Sequence, residues 1–242
     1  MIKRKKELRM RIYVALISAC LFCTSAIAQE LVFGFRHYPP LAYINEMGQP
    51  TGTYVESILK PVKARSGLDI VFKQFPVKRL YKSLELGGVD ILVSPERGVI
   101  KAELAVWGKV PVVVDYIELF SYLPVISFDA IEDFQNTVLG GVRGYTFAGR
   151  ITEIKDPKFN IKFHAATDHH SLFQMLKANR IQYALAYSIP ANEALKQIDA
   201  AGLQQKTIYR VDSFFTISLR HKNAQLIVDK MDEALTEILA ER

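Results

Sequence analysis

The sequence predicts an α/β protein built of two similar halves, and three observations carry that prediction. Short apolar, β-rich runs alternate with amphipathic helical stretches, the order of a mainly parallel sheet flanked by helices. The alternation occurs twice, over 31–93 and again over 138–197. Two extended apolar segments, Glu118–Val125 and Val211–Leu219, are placed to pass between the halves. Two such crossings predict a two-strand hinge beside an interlobe cleft, the usual place for a ligand.

The first half opens with Leu31–Phe35, a buried strand stopped by Pro39 and Pro40. Asn45–Gly48 reads as a turn. Val55, Ile58, Leu59 and Val62 have helical spacing, with Ser66 and Gly67 as the stop and Pro61 predicting a kink or an early end. Asp69–Phe75 alternates as a strand does. Leu80, Leu84 and Leu86 fall in a second helix closed by Gly87 and Gly88, and Asp90–Val93 is a third strand. After an irregular middle, Val138–Val142 is strand-like and runs into Arg143 and Gly144. A helix from about Phe147 to Lys155 and a strand at Asn160–His164 follow. Thr167 or Asp168 caps a helix that puts Leu172, Phe173 and Leu176 on one face. Ala184–Tyr187 is a strand and Ala191–Gln197 a helix. Ala224–Ala240 closes the chain as an amphipathic helix with Ile227, Met231, Leu235 and Ile238 on its stripe.

The N-terminus is of a different kind. Six basic residues and one acid precede an uncharged stretch, Ile12–Ala28, that ends in Ala26-Ile27-Ala28. That is the pattern of a secretory signal peptide cleaved after Ala28, and the stretch is short of the roughly 20 residues a spanning helix needs. A lipobox-like Ile17–Cys20 leaves lipidation at Cys20 as an alternative. Loss of 1–28 takes the formal charge from +6 to +1 and removes both cysteines, Cys20 and Cys23, whose C-x-x-C spacing is therefore a decoy. The expected mature chain, 29–242, is periplasmic. It has no charge excess that would recruit nucleic acid.

Several segments in the right order resemble the type 2 periplasmic solute-binding proteins, the family-3 extracellular binding proteins of amino-acid ABC importers. They are Phe33–Tyr43 with Gly48 and Gly52–Glu56; Pro76–Arg79 with Leu84–Val93; Leu139–Gly144; and Phe215–Asn223. The resemblance implies a two-lobed fold, with residues 29–118 and 218–242 as lobe 1 and 119–217 as lobe 2, the crossings falling near 118–125 and 211–219. It also implies hinge closure on a small solute and an inner-membrane ABC permease as partner. The departures matter. Ser94-Pro95-Glu96-Arg97 is similar to the family's Thr-Pro-x-Arg carboxylate motif, but lies several residues too close to Asp90, and an ungapped match puts Lys101 at the arginine's place. The family's amine-binding aspartate would fall at Tyr187 or Ser188, neither charged. An ammonium buried without a carboxylate is costly, which disfavours a standard α-amino acid.

Candidate ligand contacts follow from position. Arg143, in a glycine turn before a helix, suits an anion, with Arg79 or Arg97 as its complement. Ser94 belongs to the carboxylate motif. Tyr38, at a strand's carboxyl end, is joined by Tyr54, Trp107, Tyr145 and Tyr187 as possible aromatic walls. Glu56 could hold a ligand cation or pair with a lysine. His169 and His170 are adjacent and point about 100° apart on a helix, so they do not chelate as an i,i+4 pair would. No metal or cofactor is expected. The expected function is capture of a small polar, anionic solute by a monomer. The alternatives are a ligand-sensing partner of a membrane receptor and, behind it, a cyclohexadienyl-dehydratase-like enzyme using Glu56 or Glu96 as acid.

Overall fold

The computed structural model describes residues 30–95, 100–124, 128 and 130–242. The leader 1–28 with its two cysteines, and the pair Glu96 and Arg97, lie outside the described residues. Strand β1 (Leu31–Phe35) is followed by a two-residue ribbon, β2 (Tyr43–Ile44) and β3 (Pro50–Thr51), around the Asn45–Gly48 turn. A π turn, Val55–Leu59, runs into α1 (Lys60–Ser66), so Pro61 sits where the π turn gives way to the regular helix. Gly67, left-handed at φ 66°, ends it. Next come β4 (Ile70–Gln74), α2 (Val77–Leu86) capped by left-handed Gly87, β5 (Ile91–Pro95), β6 (Ala105–Trp107) and β7 (Val113–Ser121). Leu80, Leu84 and Leu86 all fall in α2 as expected; Leu80 and Leu84 are buried and Leu86, its last residue, is exposed.

The second half repeats the first with β8 (Val138–Val142), α3 (Ile151–Ile154), β9 (Lys162–Ala166), α4 (His169–Lys177), β10 (Tyr183–Tyr187) and α5 (Ser188–Leu195). Asp168 is the cap of α4, accepting from the Ser171 N–H at 2.7 Å. The expected helix from Phe147 shrinks to one turn because Phe147, Ala148 and Gly149 all have positive φ, which no helix tolerates. A long return strand, β11 (Gln204–Ser218), precedes α6 (Ala224–Ala240).

Among the described residues, nine strands form one sheet in the order β4-β1-β5-β11-β7-β10-β8-β9, with β6 on β11. Pairing is parallel within β4-β1-β5 and within β10-β8-β9, and antiparallel where β11 and β7 run between them. The halves are thus near mirror copies in strand order, joined back to back through two long strands. β11 pairs with β5 over Ser213–Ile217 and with β7 over Gln204–Ser213, so the passage from one half to the other falls near 113–116 and 209–213.

Each half has its own apolar core. The first packs β1, the π turn, α1 and the stripe of α6, where Ile227, Val228, Met231, Leu235 and Ile238 are all buried. Full burial of such side chains contributes about 1.5–3 kcal/mol each. A smaller cluster lies under α2. The second half packs Leu139, Phe147, Leu172, Phe173 and Tyr187, and includes Tyr38 from the first half.

Candidate functional site

Where the halves meet, the carboxyl ends of the parallel strands face one another, the position at which open α/β sheets bind ligands. A cavity of about 90 Å³ lies there. The first half contributes Phe33, Phe35, Arg36, Tyr38, Tyr54, Leu80, Tyr81, Val93 and Pro95, and the second contributes Thr146 and Tyr187. Val113, Asp115, Val211 and Ser213 of the two crossing strands also line it.

Arg36, the residue after β1, is the centre of the site. Its guanidinium carbon lies 4.2 Å from the ring centre of Tyr38, 5.2 Å from that of Tyr145 and 5.6 Å from that of Tyr187. The three rings also pack edgewise or tilted on one another, 5.3–6.3 Å apart. This cation–π box draws one wall from the first half and two from the second. Burial works against the Arg36 charge, but the surrounding tyrosines more than offset it and its pKa is raised. Burial pushes the phenols of Tyr38 and Tyr187 up, and that of Tyr145 to about 12, with Arg36 opposing in each case. All three are therefore neutral and carry their O–H.

Asp115 is the buried acid of the site, and its oxygens are occupied. Oδ2 accepts from the Tyr38 hydroxyl at 2.8 Å. Oδ1 accepts from the Ser188 hydroxyl at 2.6 Å and from the N–H groups of Tyr116 and Ile189 at 2.7 and 3.2 Å. One carboxylate thus clasps the segment after β1 to the first turn of α5, where the helix dipole also favours it. Tyr187 braces the positive-φ loop, its hydroxyl accepting from the Ala148 N–H at 3.1 Å. His169 packs against Tyr145 with ring centres 5.6 Å apart.

The residues expected from the sequence divide sharply. Tyr38, Tyr145 and Tyr187 come together around Arg36. Ser94 is buried but faces its neighbours: its Oγ bonds Thr216 Oγ1 at 2.9 Å and accepts from Trp107 Nε1 at 3.2 Å. Trp107 is therefore tied to β5, donating also to the Pro95 carbonyl at 3.2 Å, and it lines a separate surface concavity. Glu56 is exposed and paired with Lys60 at 2.7 Å, which holds its pKa down. Arg79 and Arg143 are exposed on facing rims, since a Cβ on Gly144 would sit 3.8 Å from Val77. Lys101 is also exposed. Arg36 and Asp115 were not anticipated. Arg36 shares with Tyr38 the carboxyl end of β1, whereas Asp115 falls in the irregular stretch between the two repeated patterns. Among the described residues no cluster of three metal-ligating side chains occurs, and no helix is long and apolar enough to cross a membrane.

Residues 31–97 match the family model of the bacterial extracellular solute-binding proteins, family 3. No curated protein matches the sequence. Among solved structures, a histidine kinase sensor domain with similarity to periplasmic binding proteins has a TM-score of 0.69 at 18% identity, over 87% of this chain and 90% of that one. An ancestral arginine-binding protein has a TM-score of 0.63 at 18% identity, over 87% and 92% of the two chains. The substrate-binding protein of an amino acid ABC transporter has 0.61 at 16% identity, over 88% and 94%. At these identities the structures speak for the fold, which is that of the two-lobed type 2 binding proteins. By the matched segment and by the fold together, the chain is similar to the family-3 extracellular solute-binding proteins, as a divergent relative.

Proposed function

We propose that this protein is a periplasmic solute-binding protein that captures a small polar ligand with an anionic group between its lobes and delivers it to an ABC permease. The observation that carries the reading is the cavity lined from both halves, with Arg36 boxed by tyrosines of both. A ligand there would make contacts available only when the lobes are closed, and that difference in contacts is what drives a hinge. In this reading the lobes are the two halves joined through β7 and β11; the protein acts as a monomer, and 1–28 is its export signal.

A second reading, in which the closed protein reports its ligand to a membrane receptor, is prompted by the fold shared with a histidine kinase sensor domain. The dehydratase reading loses one of its two acids: Glu56 is exposed and held ionised by Lys60.

The test is a thermal-shift screen of the purified protein against amino acids, organic acids, polyamines and sugars. Binding to the folded state alone stabilises it by RT ln(1 + [L]/Kd), about 2.7 kcal/mol at a hundredfold excess over Kd. A shift confined to one chemical class, with acids in that class, is the expected result. No shift across the panel would count against solute capture.

A further inference from the structure

We propose that the cleft selects a carboxylate with an apolar body and no ammonium group, anchored by Arg36. This rests on the solute-capture reading above and narrows it. A ligand must complement the polar groups the protein leaves unsatisfied, because a buried polar atom without a partner loses its hydrogen bond to water and gains none in return. Two charged groups line the cavity. Asp115 already receives four hydrogen bonds, two from hydroxyls and two from backbone N–H groups, against the roughly four acceptor sites of a carboxylate, so it has little capacity left for an ammonium. Arg36 is the opposite case. Its guanidinium carbon lies over three tyrosine rings, and the described residues give its N–H groups neither a carboxylate nor another acceptor. Its in-plane N–H donors, arranged to meet a carboxylate bidentately, remain for a ligand.

A second orphan points the same way. The Tyr54 hydroxyl is buried and unpartnered among the described residues, and Tyr54 lines the same cavity. Burial pushes its pKa well up, so it too offers a proton to an acceptor. A ligand cation meets the reverse situation. The tyrosine box that would attract it is already filled by the Arg36 cation. Beyond these groups the walls are Phe33, Leu80 and Val93, which suit an apolar body.

The experiment is isothermal titration of the full protein with two matched pairs that differ by an ammonium group: 3-methylbutanoate against L-valine, and 3-phenylpropanoate against L-phenylalanine. At least one acid is expected to bind about tenfold or more tighter than its amino-acid partner. Arg36→Gln is expected to weaken that acid by about tenfold or more, and Tyr54→Phe by a few-fold. The wild-type comparison needs no variant to fold. An amino acid that binds as tightly as its matched acid overturns the proposal while leaving solute capture intact. Binding of neither acid also overturns it, and the wider thermal-shift panel then decides separately whether the protein captures a solute at all. An acid whose affinity is unchanged in a folded Arg36→Gln protein removes Arg36 as the anchor, and with it the proposal.

Discussion

At the residue scale the cleft is an assembly of buried groups whose charge states are set by their neighbours. His169 is the one whose titration should be visible in stability. Burial pushes its imidazole down to about 4, Arg36 adds to the depression, and Asp168 and Asp115 pull the other way. Its Nε2 has no partner among the described residues. Between pH 6.5, the ordinary value, and about 4, the unfolded chain binds a proton that the folded chain refuses. The stabilisation is therefore complete above pH 6.5 and is lost as pH falls. Urea denaturation at about pH 7.5 and about pH 4.5 should show a drop that is smaller by roughly 2 kcal/mol in His169→Asn. An equal drop in both proteins would mean that His169 titrates normally. The same scale explains why Arg143 and Arg79 looked better than Arg36 on sequence. A glycine turn and a helix start are visible signals, whereas a box of three rings from residues 38, 145 and 187 is assembled only by folding.

At the scale of elements, close approach decides which residues are tolerated. β1 touches α2 and the loop before β5 through Gly34. A Cβ there would collide with Leu80 and would lie 2.9 Å from a Val89 methyl group. Gly34→Ala should destabilise the protein by about 1–3 kcal/mol, the range for overpacking a filled site. The urea midpoint is the measurement, and an unchanged midpoint would mean that α2 moves away without cost. Periodicity located most elements, because burial of one face imposes it: β1, β8 and α6 fall within the bounds their patterns predict. It failed at Phe147–Lys155, where apolar spacing resembled a helix but three successive residues take positive φ to bring Phe147 and Tyr187 into a stack. It also missed the start of β7, which pairs with β11 alone before β10 joins it at Ile117–Phe120.

At the scale of the whole molecule, one sheet runs unbroken through both halves by way of β11 and β7. Such continuity couples the halves in unfolding even if they hinge in function. Trp107 is the single tryptophan and reports on the first half, where its indole is tied to Ser94. Its fluorescence and the far-ultraviolet circular dichroism of the whole chain should therefore lose their native signals at the same urea concentration. A fluorescence transition separated from the dichroism would show the halves unfolding independently. The clasp at Asp115, which joins Tyr38 of one half to Ser188 of the other, belongs to the same coupling.

The division between what was legible and what was not follows from the range of the forces involved. Alternating patterns, caps and stops are local, so the sequence alone determined the α/β class, the two repeated halves, the order of elements and the segments that resemble the binding-protein family. It also marked three tyrosines of the cleft, because strand ends can be read locally. Only the tertiary structure decided which charge occupies the cleft. Arg36 lies there, partnered by rings distant in sequence, while Asp115 is consumed by hydrogen bonds spanning 73 and 77 residues. Whether a buried charge is satisfied or left for a ligand depends on all its neighbours at once, and no local pattern contains them.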